Sequence, residues 1–224
     1  MRAREAKDQL YEQFARTAKA LASPRRIELL ELLAQGEQSV DVLASRGNLS
    51  VANASAHLQV LRAARLVQTR RVGSHVFYRL ADDAVAVLIV ALRDVSRSRL
   101  PEVEEIVADY FRTRDALEPL SRQQLLERQR RGDVIVLDVR PHDEFAAAHI
   151  PGALSVPLPE LDSQLAGLPA GQMVVAYCRG PYCVLAPQAI ERLRAAGFEA
   201  RRLEDGLPEW RLAGLPVEQE RKTE

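Results

Sequence analysis

The stretch Leu49–Leu80, LSVANASAHLQVLRAARLVQTRRVGSHVFYRL, changes its hydrophobic period in mid-course, and that change decides how the front of the chain folds. Ser50 heads a helical segment that reaches about Ala64, where its hydroxyl can cap free amides. Leu58 and Leu61 can face a core, while Asn53, Ser55, His57, Gln59 and Arg62 offer polar groups. From Val67 the period becomes that of strands. Val67, Thr69, Val72, Val76, Phe77, Tyr78 and Leu80 are β-formers around Gly73-Ser74, which predicts a hairpin. Arg70, Arg71 and Arg79 make this hairpin basic, and Ser74 and His75 lie at its tip.

Working outward, Ser39 to Ser45 is a short helix followed by a turn at Gly47-Asn48. Ser23-Pro24 opens an earlier helix with Ile27, Leu29, Leu30, Leu32 and Leu33 on its core face, and Gly36 follows its end. Leu10, Phe14, Ala18 and Leu21 form one apolar stripe in an opening helix. Ala84–Leu100 is again apolar at helical spacing, and 101–111 continues as helix.

Helix, tight turn, helix and basic hairpin together make the layout of a winged helix-turn-helix, whose second helix enters the DNA major groove. The DNA-contact candidates are Ser50, Asn53, Ser55, His57, Gln59, Arg62, Arg70, Arg71, Ser74 and His75, with the arginines suited to phosphate. A solvated helix face would carry the same residues, and a single histidine such as His57 more often does nothing. Charge tips the balance. Up to Arg99 there are 16 Lys+Arg against 10 Asp+Glu, and beyond it 15 against 21, so the neutral total hides a basic front half.

From about Leu117 the pattern alters. Ser121 and Gln124 form a capping box ahead of a helix ending at Gly132. Val134–Val139, Met173–Tyr177 and Ala200–Leu203 read as strands, and Val184–Ala196 as a helix closed by Gly197. Short apolar strands alternating with helices predict a parallel α/β sheet. The expected architecture is therefore two domains. A mainly α winged helix-turn-helix over residues 1–112 precedes an α/β parallel sheet with flanking helices over 118–218.

With 47% hydrophobic and 28% charged residues in 224, the chain has the composition of a globular protein with room for two cores. No apolar run approaches the roughly 20 residues of a membrane span, and the charged N-terminus lacks a signal core, so the expected location is the cytoplasm. No metal site or cofactor is expected. The two cysteines, Cys178 and Cys183, share one loop and do not make a secreted disulfide framework. Cys178 follows an apolar strand and precedes a helix, where amides and the helix dipole stabilise a thiolate or an anion. With Arg179 adjacent, that setting is expected to lower the Cys178 pKa. Cys183 is either a resolving partner for Cys178 or a small residue packed at a helix start.

Two resemblances extend this reading. Residues 18–80, with ALASPRRIELLELL, the S-x-HL-x-VL helix and the RR-x-G-x-x-V-x-YRL wing, resemble the ArsR/SmtB family of dimeric repressors. That resemblance implies a homodimer built from Tyr11–Leu21 and Ala84–Leu100, bound to an inverted repeat in double-stranded DNA. Metal-sensing relatives carry a cysteine pair where this chain has Gln38-Ser39-Val40-Asp41, so a thiolate sensor must lie elsewhere.

Residues 120–217 resemble the rhodanese family through VLDVR (136–140), EF-x-x-x-HIPGAL (144–154), the CRG loop at Cys178 and DGLPEWRLAGLPV near the end. This implies that Cys178 takes sulfur from a sulfane-sulfur donor as a persulfide and passes it to a thiol acceptor. Arg179, Gly180, Tyr182 and Cys183 complete the loop, with Asp138 and Arg140 as a supporting ion pair and Glu144 and His149 shaping the surroundings. The six-residue loop is of sulfurtransferase length rather than phosphatase length, and Pro181 removes one amide donor from it.

The combined expectation is a repressor that senses reactive sulfur or thiol oxidation through Cys178. Three alternatives stay open: a rhodanese-type sulfurtransferase with a DNA-anchoring domain, an arsenite or thiophile sensor using both cysteines, and a purely structural rhodanese module.

Overall fold

A computed structural model describes residues 2–112, 119–169 and 171–220, and the expected linker at 113–117 lies outside them. The chain divides into two compact units, Met1–Ile89 and Val90–Glu224.

In the first unit, α1 (Ala3–Leu21) and α2 (Pro24–Leu33) precede a short strand, β1 (Gln38–Ser39). The helix-turn-helix follows as α3 (Val40–Arg46) and α4 (Val51–Ala63). Ser39 caps α3 by accepting from the Val42 amide at 3.4 Å, and Ser50 caps α4 by accepting from the Asn53 amide at 3.2 Å. Ser23 occupies the cap of α2 without a side-chain hydrogen bond. The wing is β2 (Val67–Val72) and β3 (His75–Leu80), joined by a two-residue turn whose first position needs the positive φ that Gly73 supplies, +59°. β1 adds to the other side of β3, giving a three-stranded antiparallel sheet.

α5 (Asp83–Arg99) begins in this unit, where it buries Val85, Ala86 and Ile89, and continues into the second. Leu29, Leu30, Leu43, Leu58 and Leu61 form the centre of the core, each fully buried leucine contributing roughly 1.5–3 kcal/mol. The expected stripe on α1 is largely not in this core: Leu10, Tyr11 and Phe14 are 56–62% exposed, and Val87 and Val95 on α5 are exposed too.

The second unit continues through α6 (Pro101–Val107) into a π-helical turn, Ala108–Arg112. α7 (Arg122–Arg131) starts on the predicted Ser121–Gln124 capping box. There follow β4 (Val134–Asp138), α8 (His142–Ala147), β5 (Leu154–Ser155), α9 (Leu161–Gln164) with a 3-10 turn, and β6 (Met173–Tyr177). The chain then forms α10 (Leu185–Ala195), β7 (Ala200–Arg202) and α11 (Leu207–Leu212). All pairings in the four-stranded sheet are parallel, in the order β5-β4-β6-β7.

Alternation along the strands feeds two cores. Ile135, Leu137, Val174 and Ala176 pack with α9 and α10. Val136, Val175 and Tyr177 pack with Leu125, Phe145 and Trp210 from α7, α8 and α11. Both faces are thus covered, as a parallel sheet requires. The strand order reverses between β4 and β6, and the crevice at the carboxyl ends of such strands is where an α/β sheet places its ligand. No helix among the described residues is long and apolar enough to cross a membrane.

Candidate functional site

Cys178 leaves the end of β6 at this switch point, and the loop Cys178–Val184 delivers the chain into α10. The sulfur of Cys178, 2% exposed, lies 3.6 Å from the carbonyl oxygen of Cys183 and 3.8 Å from that of Gly180. The amides of Gly180 and Ala186 hydrogen-bond Cys178, and those of Leu185 and Arg179 hydrogen-bond Cys183. The first-turn amides of α10 therefore point at sulfur, with the positive end of the helix dipole behind them. The two sulfurs also hydrogen-bond each other.

The acidity of the pair departs from expectation. Burial and the neighbouring Cys183 push the Cys178 thiol well above its usual range. Cys183 is lowered to about 7, first by the hydrogen bond from Cys178 and then, against burial, by the two amides and the Arg179 charge. Arg179 interacts through its charge with both sulfurs but is engaged chiefly by Glu144, so it does not offset the burial of Cys178 as expected. Its Nε donates to both Glu144 oxygens at 3.0 Å and its Nη2 to Oε1 at 2.7 Å, and the Glu144 side chain is buried. Near pH 7 the pair therefore carries part of a negative charge, on Cys183 rather than on Cys178. Alkylation of Cys183 is expected to be half-maximal near pH 7 and to shift to higher pH in Cys178→Ala, as peptide mass spectrometry across a pH series will read.

Asp138 and Arg140 pair as expected, fully buried, with Arg140 Nε 2.9 Å from Asp138 Oδ1. The Tyr177 hydroxyl, not singled out from sequence, donates to Asp138 Oδ2 at 2.6 Å and accepts from the Ile150 amide at 3.1 Å. This cluster fixes the ends of β4 and β6 next to the loop. These bonds tie the Asp138 carboxylate at the end of β4 to Tyr177, the residue before Cys178. His149 stacks on Phe145 at 3.7 Å, and its Nδ1 lies 2.9 Å from the Phe145 carbonyl.

In the first unit, α4 buries Ala54, Leu58 and Leu61 and turns Asn53, Gln59 and Arg62 outward, with Ser55 and His57 half-buried. Ser50 is engaged as the cap. Several candidates have partners within the domain: Arg71 Nε donates to the Gly73 carbonyl at 3.2 Å, and His75 Nδ1 lies 4.0 Å from Asp41 Oδ2. Gln59 Nε2 donates to the Tyr78 hydroxyl at 3.3 Å, and Arg70 pairs with Glu37 and lies 5.3 Å from the centre of the Phe77 ring. Arg71, Ser74 and His75 are exposed on the wing. Glu37 already neutralises Arg70, so Arg71→Ala should reduce the salt dependence of DNA binding by about one phosphate contact, a slope change near 0.9, and Arg70→Ala by less. Anisotropy titrations at several salt concentrations measure both slopes.

Residues 23–69 match the model of the bacterial regulatory protein arsR family, and residues 121–213 match that of the rhodanese-like domain. The chain is 45% identical over 210 residues to the HTH-type transcriptional regulator Rv0324 of Mycobacterium tuberculosis, covering 94% of this chain and 92% of that one. It is 47% identical over 74 residues to a biofilm growth-associated repressor of Agrobacterium fabrum, 33% of this chain and 63% of that one. Among solved structures, the homodimeric winged helix-turn-helix DNA-binding domain Mb0332 from Mycobacterium bovis aligns with TM-score 0.41 and 40% identity, over 45% of this chain and 91% of that one.

Proposed function

The chain belongs to the ArsR family of DNA-binding transcriptional regulators and carries a rhodanese-like domain behind its winged helix, and from that premise we propose that it is a homodimeric repressor released from its operator by sulfane sulfur. The observation that carries this reading is the hydrogen-bonded pair Cys178–Cys183 at the sheet's switch point, in a chain with no other cysteine. The winged-helix unit has no thiol with which to sense anything.

The chemistry follows from where the charge rests. Cys178 Sγ attacks a sulfur of a polysulfide as its proton passes to the Cys183 thiolate, which acts as general base. The donor's S–S bond breaks, the polysulfide leaves one sulfur shorter (as hydrosulfide where the donor has two sulfurs), and Cys178 holds the new sulfur as a persulfide. Cys183, now a thiol, then attacks the inner sulfur of that persulfide, expelling hydrogen sulfide and leaving a Cys178–Cys183 disulfide. No outside oxidant is needed, because the transferred sulfur is the electron acceptor. Pro181 in the cradle and the burial of Cys178 favour a sensing role over rapid turnover. A second copy is the natural cover for the exposed apolar residues of α1 and α5, as the family resemblance implies.

The test uses the full chain and an inverted-repeat sequence selected from random DNA by the reduced protein. Polysulfide should release the DNA while mass spectrometry finds extra sulfur or a crosslink on the loop peptide. Sulfur uptake with unchanged DNA affinity would leave a sulfurtransferase on a DNA-binding domain, and arsenite capture without persulfide would make it a thiophile sensor.

A further inference from the structure

We propose that Arg93 on α5 is the positioning residue through which the Cys178 loop acts on the winged-helix unit, an inference that rests on the reading of Cys178 as the sulfur-accepting thiol. Arg93 Nη2 donates to Glu209 Oε1, and the two side chains are only 15% and 10% exposed. Glu209 Oε2 accepts from the Gly206 amide at 3.0 Å. Gly206 in turn presses on the loop: a Cβ placed there would come within 2.3 Å of the Gly180 nitrogen and 2.4 Å of the Arg179 carbonyl carbon. On its own side, a Cβ at Gly180 would stand 3.1 Å from Arg93 Nη1 and 3.7 Å from Glu209 Oε1. The Leu207 amide donates to the Cys178 carbonyl at 3.4 Å. Gly180 therefore lies between the Gly206 backbone and a buried ion pair, with no room for a Cβ at Gly206 and little at Gly180.

A persulfide adds one sulfur about 2 Å from Cys178 Sγ, and room for it must come from movement of the loop. Such movement carries Gly206, Glu209 and hence Arg93. Arg93 is tied to DNA binding by its own helix. Val85, Ile89 and Arg93 recur every fourth residue and so share one face of α5, and the first two are buried in the winged-helix core. A second contact follows the same course. Tyr182 of the loop meets the buried Phe111 ring edge-on at 6.2 Å, in the π-helical turn after α6. Turns of this kind are frequent at functional sites.

The test compares wild type, Arg93→Ala, Arg93→Lys and Glu209→Gln as full-length proteins, reading sulfur uptake by mass spectrometry and operator affinity before and after polysulfide. Arg93→Ala should load sulfur to the wild-type extent and bind DNA when reduced, yet the loss of affinity on loading should shrink from about tenfold or more to under about twofold. Arg93→Lys, which keeps a cation, should restore the response. Glu209→Gln keeps the hydrogen-bond geometry without the charge, should lose the response in part, and decides the matter if Arg93→Ala does not fold. Loaded Arg93→Ala that leaves DNA as wild type does overturns the link alone. An Arg93→Ala chain that takes up no sulfur overturns it as well, by making Arg93 part of uptake. Wild type that takes up no sulfur overturns the reading of Cys178 and the link with it.

Discussion

Cys178→Ala is expected to abolish the loss of operator affinity that polysulfide causes, whereas Cys183→Ala is expected to load sulfur slowly and to stop at the persulfide. In wild type the affinity should fall by roughly 5- to 150-fold, the range of coupling free energies of about 1–3 kcal/mol that link two sites in one protein. Cys178 is the thiol at the end of β6, hydrogen-bonded by the amides of Gly180 and Ala186, and in the proposed chemistry it is the sulfur acceptor. In the proposed chemistry Cys183 supplies the base and the resolving thiol. Its loss should leave the loop peptide heavier by one sulfur, with no crosslink to Cys178. If the persulfide alone moves the loop, Cys183→Ala still releases DNA, and if closing the disulfide is the effective step, it does not. DNA titrations paired with mass spectrometry of the same samples separate these outcomes. Release that persists in Cys178→Ala would sink the sensing mechanism.

Much of this architecture is legible along the chain because it is local. The switch from helical to strand period at Val67, the Ser50 cap and the Ser121–Gln124 box are contacts within a few residues, and each appears where the residue types place it. The candidate site is legible in part. A cysteine between a strand and a helix marks the loop, but whether its thiol is acidified depends on burial and on the direction Arg179 takes. Arg179 turns to Glu144, which lies 35 residues away in sequence, and the resting charge goes to Cys183. The two-residue strands β1 and β5 are too short to show a period. Arg93 and Glu209 are 116 positions apart, and nothing local distinguishes Arg93 from its neighbours Arg97 and Arg99 on the same helix. Gly206 stands in the DGLPEW segment, yet its need for glycine comes from the backbone of Gly180 rather than from a turn.

The Asp138–Arg140 pair offers the largest expected effect on stability. Both side chains are fully buried, and Arg140 also donates from its main-chain amide to Asp138 Oδ1 at 3.0 Å and from Nη2 to the Ala148 carbonyl at 2.8 Å. Burial opposes the Arg140 charge, but its hydrogen bonds and attraction to Asp138 outweigh that and raise its pKa. Removing one partner strands the other charge in a dry core, which costs about 3–5 kcal/mol, whereas removing both is far milder. Arg140→Met is therefore expected to destabilise the second unit by about 3–5 kcal/mol. The double variant Asp138→Asn/Arg140→Met, which discharges the core and keeps an acceptor for the Tyr177 hydroxyl, should recover at least half of that loss. Trp210, the single tryptophan, is fully buried in the same core as Tyr177, so its fluorescence in urea titrations reports this unit. A double variant as unstable as Arg140→Met would mean that the pair serves by packing rather than by charge. Recovery would show that the ion pair's value lies in the geometry it imposes on the ends of β4 and β6, where the proposed chemistry has Cys178 meet its donor.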